Sequence, residues 1–292
     1  MSEDGALINK LGKHLRRGPS LVDRGLLRWV LSCQDDAEFV RRFAVANRRW
    51  RMPIDLDFDS DLRAFIVLGE SGRVVVARRS RLEYYLSGVR AREEQLVREY
   101  FLARVPFAAG DRMIDVGANI GEVSRLLAHR HGVIPIAFEP EDREFRALEA
   151  NVRGTGGSAH KALLWSHETE LSFHEANDTG DSSVFEPRNA TSTQQRAATT
   201  LDAAIPQTAA AKGPIRLLKL EAEGAEPEIL EGAARTLERV QFVAADVGPE
   251  RGLEREMTIF PVYERLRASG FRAVDVQTER VVVLFENTRL SA

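Results

Sequence analysis

Residues 112–140, RMIDVGANIGEVSRLLAHRHGVIPIAFEP, constrain this chain more than any other stretch. They open with the apolar run Met113-Ile114-Asp115-Val116, which reads as a buried parallel strand. Gly117-Ala118-Asn119-Ile120-Gly121 then turns the chain with little side-chain bulk, and Val123, Leu126 and Leu127 follow at helical spacing. A second strand is predicted over residues 133–138, ending in Glu139-Pro140. Strand, glycine turn, helix and strand, with an acid at the second strand end, make a nucleoside-binding half-site. Glycines let a ligand approach the backbone, the helix N-terminus presents free N–H groups, and the acid can accept from both ribose hydroxyls.

The spacing separates two cofactor classes. A dinucleotide fingerprint has glycine at its first, third and sixth positions. Here those positions are Gly117, Asn119 and Glu122. A pyrophosphate would meet a side chain at Asn119 and a carboxylate at the helix start. Asp115, Glu122 and Glu139 suit a cation, so S-adenosylmethionine (AdoMet), a sulfonium without phosphate, is expected ahead of NAD. A glycine turn in a ligand-free α/β domain is the plain alternative.

The remainder of the chain alternates. Residues 1–60 are expected to form a helical N-terminal extension, with Leu26, Leu27, Val30, Phe39, Val40 and Phe43 at helical spacing. Its arginines, interleaved with Asp35, Asp36 and Glu38, read as a solvated face. Met52-Pro53 and the acidic residues 55–61 mark a boundary. Residues 61–105 read as a hairpin around Gly69-Glu70-Ser71-Gly72 and a helix over 82–102, leading into a core domain over 106–292. In that core, strands are predicted at 160–164, 170–174, 215–220, 241–247, 271–276 and 280–285, and helices at 142–152, 227–237 and 257–268. The polar segment 177–196 reads as a loop able to order over a substrate. Strands alternating with helices predict an α/β fold with ligands at the carboxyl ends of a mostly parallel sheet, and the last two strands as an antiparallel edge pair.

The formal net charge of −3 argues against a general affinity for nucleic acid. Cys33 is the one cysteine, so no intramolecular disulfide forms and a reducing, cytoplasmic location is the expectation. No apolar run approaches the roughly 20 residues of a membrane span, and the N-terminus has no secretory h-region. The N-terminal helices leave a homo-oligomer open.

IDVGANIG at 114–121, AFEP at 137–140, GDSSV at 180–184, TLD at 200–202 and KLEAEGAE at 219–226, in this order and spacing, resemble the FkbM family of AdoMet-dependent methyltransferases. The resemblance implies a class I methyltransferase fold: a Rossmann-like sandwich on a mostly parallel seven-stranded sheet with an antiparallel edge pair. It implies O-methylation of a hydroxyl on a sugar, glycan or natural-product small molecule. Carried over by position, Asp115, Gly117, Asn119 and Gly121 would line the methionine and ribose side of AdoMet. Glu139 would hold the ribose hydroxyls, and Ala162 and Leu163 would lie near the adenine. A glutamate upstream of the first strand corresponds to Glu93 or Glu94. The family pattern K-x-D-x-E-G-x-E has Glu221 here in place of aspartate, and Asp246 stands where glutamate is common.

Methyl transfer to an alcohol needs alignment and a group to take the hydroxyl proton. Lys219, Glu221, Glu223 and Asp246 are the candidates for the chemistry, with Glu221 or Glu223 as base. Glu221 and Asp246, with Asp181, would alternatively hold Mg²⁺. Glu226 reads as a carboxylate at a helix N-terminus. His129 and His131 read as helix-end residues, and His160, His167 and His174 as packing residues with a base role held open. An NAD-dependent sugar oxidoreductase or epimerase lacks its glycine spacing and a Tyr-x-x-x-Lys pair. A catalytically degenerate AdoMet-binding module is kept open by Glu221.

Overall fold

A computed structural model describes residues 20–176, 182–187, 190–205 and 213–290. The chain forms two compact units, residues 1–95 and 96–292.

In the first unit, helices α1 (Leu21–Leu31) and α2 (Asp36–Trp50) precede an antiparallel sheet of β1 (Asp55–Asp59), β2 (Ala64–Gly69) and β3 (Gly72–Val76). Ser20 starts α1 with a reciprocal capping box: its hydroxyl accepts from Asp23 N, and Asp23 accepts from Ser20 N. Asp35 caps α2 by accepting from Glu38 N at 2.7 Å. Phe39, Phe43 and Val30 fill the interior. The acidic segment expected as a boundary supplies β1, because Leu56 and Phe58 alternate with its aspartates and pair with Val67 and Phe65. The single helix expected over 82–102 is divided. A 3₁₀ turn (Arg79–Tyr85) ends before Gly88, which takes φ +105°, and an α-helix runs Val89–Glu99.

The second unit is built on seven strands: β4 (Arg112–Val116), β5 (Ile134–Phe138), β6 (Ser158–His160), β10 (Ile215–Leu220), β11 (Val240–Asp246), β14 (Phe271–Gln277) and β15 (Val282–Asn287). They lie in the order β14-β15-β11-β10-β4-β5-β6. Pairings from β6 to β11 are parallel, and β15 is antiparallel to both β11 and β14. The α/β fold with a mostly parallel seven-stranded sheet and an antiparallel edge pair is thus present, with helices at the N-terminus. Side-chain alternation divides the core. Ile114, Val116, Leu218 and Leu220 face one side, under Leu230, Leu237, Val262 and Leu266; Met113 and Leu217 face the other, under Leu126 and Leu127. Burial on both faces is why these strands read as continuous apolar runs.

Three local expectations are corrected. The strand expected over 160–164 is two: β6 joins the main sheet, while β7 (Leu163–Leu164) pairs with β9 (Ser192–Thr199) in a small sheet completed by β8 (Thr169–Glu175). β9 therefore occupies the end of the segment expected as a loop. The helix expected over 227–237 is two short helices, Glu226–Glu231 and Ala234–Leu237. They part at Gly232, where a Cβ would lie 2.3 Å from Trp165 O. The short strands β12 (Pro249–Arg251) and β13 (Glu256–Met257) form a ribbon after β11.

Candidate active site

The chain leaves β4 toward β5 and β6 on one side and later returns through β10 and β11 on the other. β4 and β10 therefore flank the topological switch point, where α/β sheets bind ligands at the strand carboxyl ends. Parallel register sets Asp115 beside Lys219 and Ala137.

At the end of β4, Gly117 has φ +63°, and a Cβ there would lie 1.7 Å from Glu221 O. The glycine lets the segments leaving β4 and β10 pass this close to one another. Gly121, at φ +79°, is likewise shut in: its Cβ would meet Leu148 at 2.6 Å. Asn119 between them takes φ +51°, a left-handed conformation in which asparagine is several-fold enriched. Its N–H donates to Glu139 Oε2 at 2.8 Å, and Glu141 N donates to Glu139 Oε1 at 2.9 Å. Two backbone bonds thus fix the plane of the Glu139 carboxyl at the end of β5. Burial pushes it up to about 8, with Glu144 and Glu141 adding to the rise against the two N–H donors. Ala162 follows the end of β6, Leu163 is buried in β7, and His160 stacks on Phe138 at 5.2 Å.

At the end of β10 is a buried ionic network. Lys219 Nζ donates to Gly117 O at 2.6 Å and lies 3.3 Å from Asp115 Oδ1 and 3.1 Å from Glu221 Oε2. Burial alone would depress the ammonium, but Asp115 and Glu221 hold it above its usual range. Asp115 also accepts from Ser124 Oγ at 2.7 Å. Glu221 accepts from Tyr100 Oη at 2.5 Å and pairs with Arg280. Burial opposes its charge, but Lys219 and Arg280 prevail and hold it far below the carboxylate range. Arg280, from the turn between β14 and β15, also pairs with Asp246 Oδ2 at 2.7 Å. Asp246 caps its own turn through Gly248 N, and burial and the Glu221 charge lift it to about 6 despite Arg280. On β12, Glu250 is raised to about 9 by burial and by Asp246, Glu221 and Glu226.

The loop after β10 is pinned from below and above. Glu226 accepts from Ala222 N at 2.8 Å, Gly224 N at 3.1 Å and Thr258 Oγ1 at 3.0 Å, and burial lifts its carboxyl to about 7. Glu223, half-buried, is held at φ +49°; its carbonyl accepts from Ser183 Oγ at 2.8 Å. Ser182 Oγ donates to Glu141 Oε2 at 2.5 Å. The Ser182-Ser183 pair therefore links the β5 end to the β10 loop.

The structure brings Asp115, Gly117, Lys219, Glu221 and Asp246 together, with Asn119 joined to Glu139 beside them. Asp181 lies outside the described residues, and so do residues 177–180 of the expected loop. Glu93 is a buried residue of the helix Val89–Glu99, in the first unit. Among the described residues no group of three His, Cys, Asp or Glu side chains is arranged to hold a metal. Arg280 stands between Glu221 and Asp246, where a divalent ion would need their oxygens. His129 and His131 are exposed at a helix end; His174 bonds Thr193 and exposed His167 bonds Ser166. Sequence reasoning missed Tyr100, Glu250 and Arg280, which carry no motif. It noticed Ser182 and Ser183 without giving them partners.

No curated protein sequence matches this chain. Similar solved structures include the METTL16 MTase domain, at 14% identity over 86% of this chain and 79% of that one, with a TM-score of 0.40. A SAM-dependent methyltransferase from Aquifex aeolicus is 15% identical over 72% and 92%, TM-score 0.39. The precorrin-6y C5,15-methyltransferase of Geobacter metallireducens is 13% identical over 65% and 85%, TM-score 0.38. Likenesses this distant leave the reaction open. The family profile described as the methyltransferase FkbM domain matches residues 115–273. That match runs from the end of β4 to the start of β14, more than half of the 292 residues, and the chain belongs to the FkbM methyltransferase family.

Proposed function

We propose that the protein is an AdoMet-dependent O-methyltransferase whose acceptor is a hydroxyl of a sugar, glycan or natural-product small molecule. The observation that carries the cofactor assignment is the buried Glu139 carboxyl, fixed by Asn119 N and Glu141 N at the end of β5. Each oxygen keeps acceptor capacity for one ribose hydroxyl. The loop fits a pyrophosphate badly, since it would meet the Asn119 side chain and the Glu122 carboxylate at the helix start. Asn119, Glu139 and the backbone at Gly117 would hold the nucleoside, with Ala162 and Leu163 toward the base. AdoMet supplies a methyl group on a positively charged sulfur.

The chain's own residues supply alignment, a proton acceptor and a negative field. We assign Lys219, Glu221 and Asp115 to fixing the strand ends, because their charges are committed to one another in the interior. Glu221, held ionised far below the carboxylate range, is a poor proton acceptor. Glu223 is our candidate base: it lies on the same loop, is half-buried, and has a left-handed backbone of the kind found at functional sites. It would take the acceptor's hydroxyl proton as the oxygen attacks the methyl carbon in line.

Calorimetric titration with AdoMet and with NAD tests the cofactor class; NAD binding without AdoMet binding overturns it. Methyl transfer from labelled AdoMet to a panel of sugars and alcohols, with and without chelator, tests the reaction. Turnover is expected to survive chelation.

A further inference from the structure

We propose that the outer face of α1 and α2 docks on an anionic lipid surface. Four large apolar side chains stand in solvent there: Leu21 (85% exposed), Val22 (59%), Trp29 (40%) and Val45 (51%). They form a strip. At 3.6 residues per turn, Leu21, Gly25, Trp29 and Val22 succeed one another around α1, and Arg24 and Arg28 flank Leu21. Arg42 and Arg49, seven residues apart on one side of α2, both reach α1. Arg42 donates to Trp29 O at 2.8 Å and covers the Trp29 ring, and Arg49 meets Asp23 Oδ1 at 2.6 Å. Val45 lies between that side and the exposed Arg41 and Arg48. Arg24 and Arg28 thus border one edge of the apolar residues of α1, and Arg42 covers Trp29 at the other.

Charge selects the partner. Residues 20–51 hold seven arginines and four carboxylates. Every carboxylate is engaged: Asp23 by Arg49, Asp35 as a helix cap, Asp36 by Arg79, and Glu38 by Arg41 and Arg42. Exposed Arg24, Arg28, Arg48 and Arg51 have no carboxylate partner among the described residues. A second copy would set arginine against arginine across a two-fold axis. A nucleic acid would satisfy the guanidinium groups but leave Leu21, Val22 and Val45 facing phosphate. A lipid interface satisfies both, with headgroup phosphates at the arginines and the acyl boundary under the aliphatic and indole side chains. No helix among the described residues is long and apolar enough to cross a membrane, so the contact is peripheral.

Flotation of the full chain with vesicles of phosphatidylglycerol and phosphatidylcholine in equal parts, and with phosphatidylcholine alone, tests this. The protein should float with the anionic vesicles only and be released by salt, as screening shortens the reach of charge. Arg28→Glu with Arg48→Glu should weaken binding by about fivefold per arginine, and the two lysine variants should retain it. Leu21→Ser with Trp29→Ser should weaken binding at unchanged charge. All four positions are exposed, and thermal melts verify that the variants fold. No flotation, equal flotation with neutral vesicles, or a serine variant that floats like wild type overturns the proposal. So does tight binding of a DNA duplex that is indifferent to the serine changes, or a dimer abolished by them.

Discussion

Glu139 is a carboxyl group buried where its anion is costly, and this gives a pH signature. Its pKa is about 8 in the folded chain, against 4.5 for an ordinary glutamate. Between those values the folded state holds a proton that the unfolded state has released, so stability falls as pH rises through that window. Glu139→Gln removes the titration, and its melting temperature should gain on wild type from pH 5 to pH 8. Cofactor binding should respond oppositely. Hydrogen bonds to a charged acceptor contribute about 1.5–3 kcal/mol, so the variant should bind AdoMet about tenfold or more weakly. Wild-type affinity should rise toward pH 8 as the better acceptor forms. A flat wild-type affinity from pH 6 to 9, with an unchanged variant, would remove the ribose assignment. At the neighbouring loop, Glu223→Gln should cut turnover by about 10²–10⁴ with AdoMet affinity retained, whereas Glu221→Gln should chiefly lower stability. Full turnover in Glu223→Gln would pass the base role to another group. The motif residues were legible because they are local: turn, helix start and strand-end acid lie within 30 positions. Their detailed use was not. Gly117 and Gly121 read as room for a ligand, yet Glu221 O and the Leu148 side chain occupy the space beside them.

Among the elements, the β14–β15 edge pair does more than close the sheet. Its turn carries Arg280 over the strand ends to Glu221 and Asp246. Removing that cation leaves two buried carboxylates facing each other. Arg280→Met should therefore cost about 2–3 kcal/mol at pH 8, the range for breaking a buried pair discounted because Arg280 is itself about a third exposed. The sign with pH follows from Glu221. Its depressed pKa contributes stability that is present above 4.5 and lost as pH falls. The gap between variant and wild type in urea unfolding should therefore narrow as pH falls below 4.5; a gap that widens there would contradict the network. Nothing in the sequence around Arg280 announces this role, since it depends on a partner 59 residues away. The small sheet was hidden for another reason. β9 is made of Ser, Thr, Gln, Ala and one Arg and shows no apolar alternation, so its strand state comes from pairing with β8 and not from local preference. Gly232 parts a predicted helix through a contact with Trp165, again a tertiary cause.

At the scale of the whole chain, a mostly parallel sheet with an antiparallel edge pair followed from alternation of strands and helices, while its strand order and the division at residues 95 and 96 did not. The helix Val89–Glu99 runs through that division without any break in composition. This arrangement has a thermodynamic consequence. All the residues we assign to the cofactor lie in the second unit, except Glu93, which rests on family resemblance. A ligand that binds only the native state stabilises what it binds, by about 2.7 kcal/mol at a hundred times its dissociation constant. For a unit of about 200 residues this shifts the melting temperature by roughly 5–10 °C. Calorimetry of the full chain should show two transitions, of which AdoMet moves the one with the larger enthalpy. If AdoMet moves both together by the same amount, the units unfold as one cooperative block. If it moves only the smaller, the cofactor site assigned to the strand ends is wrong.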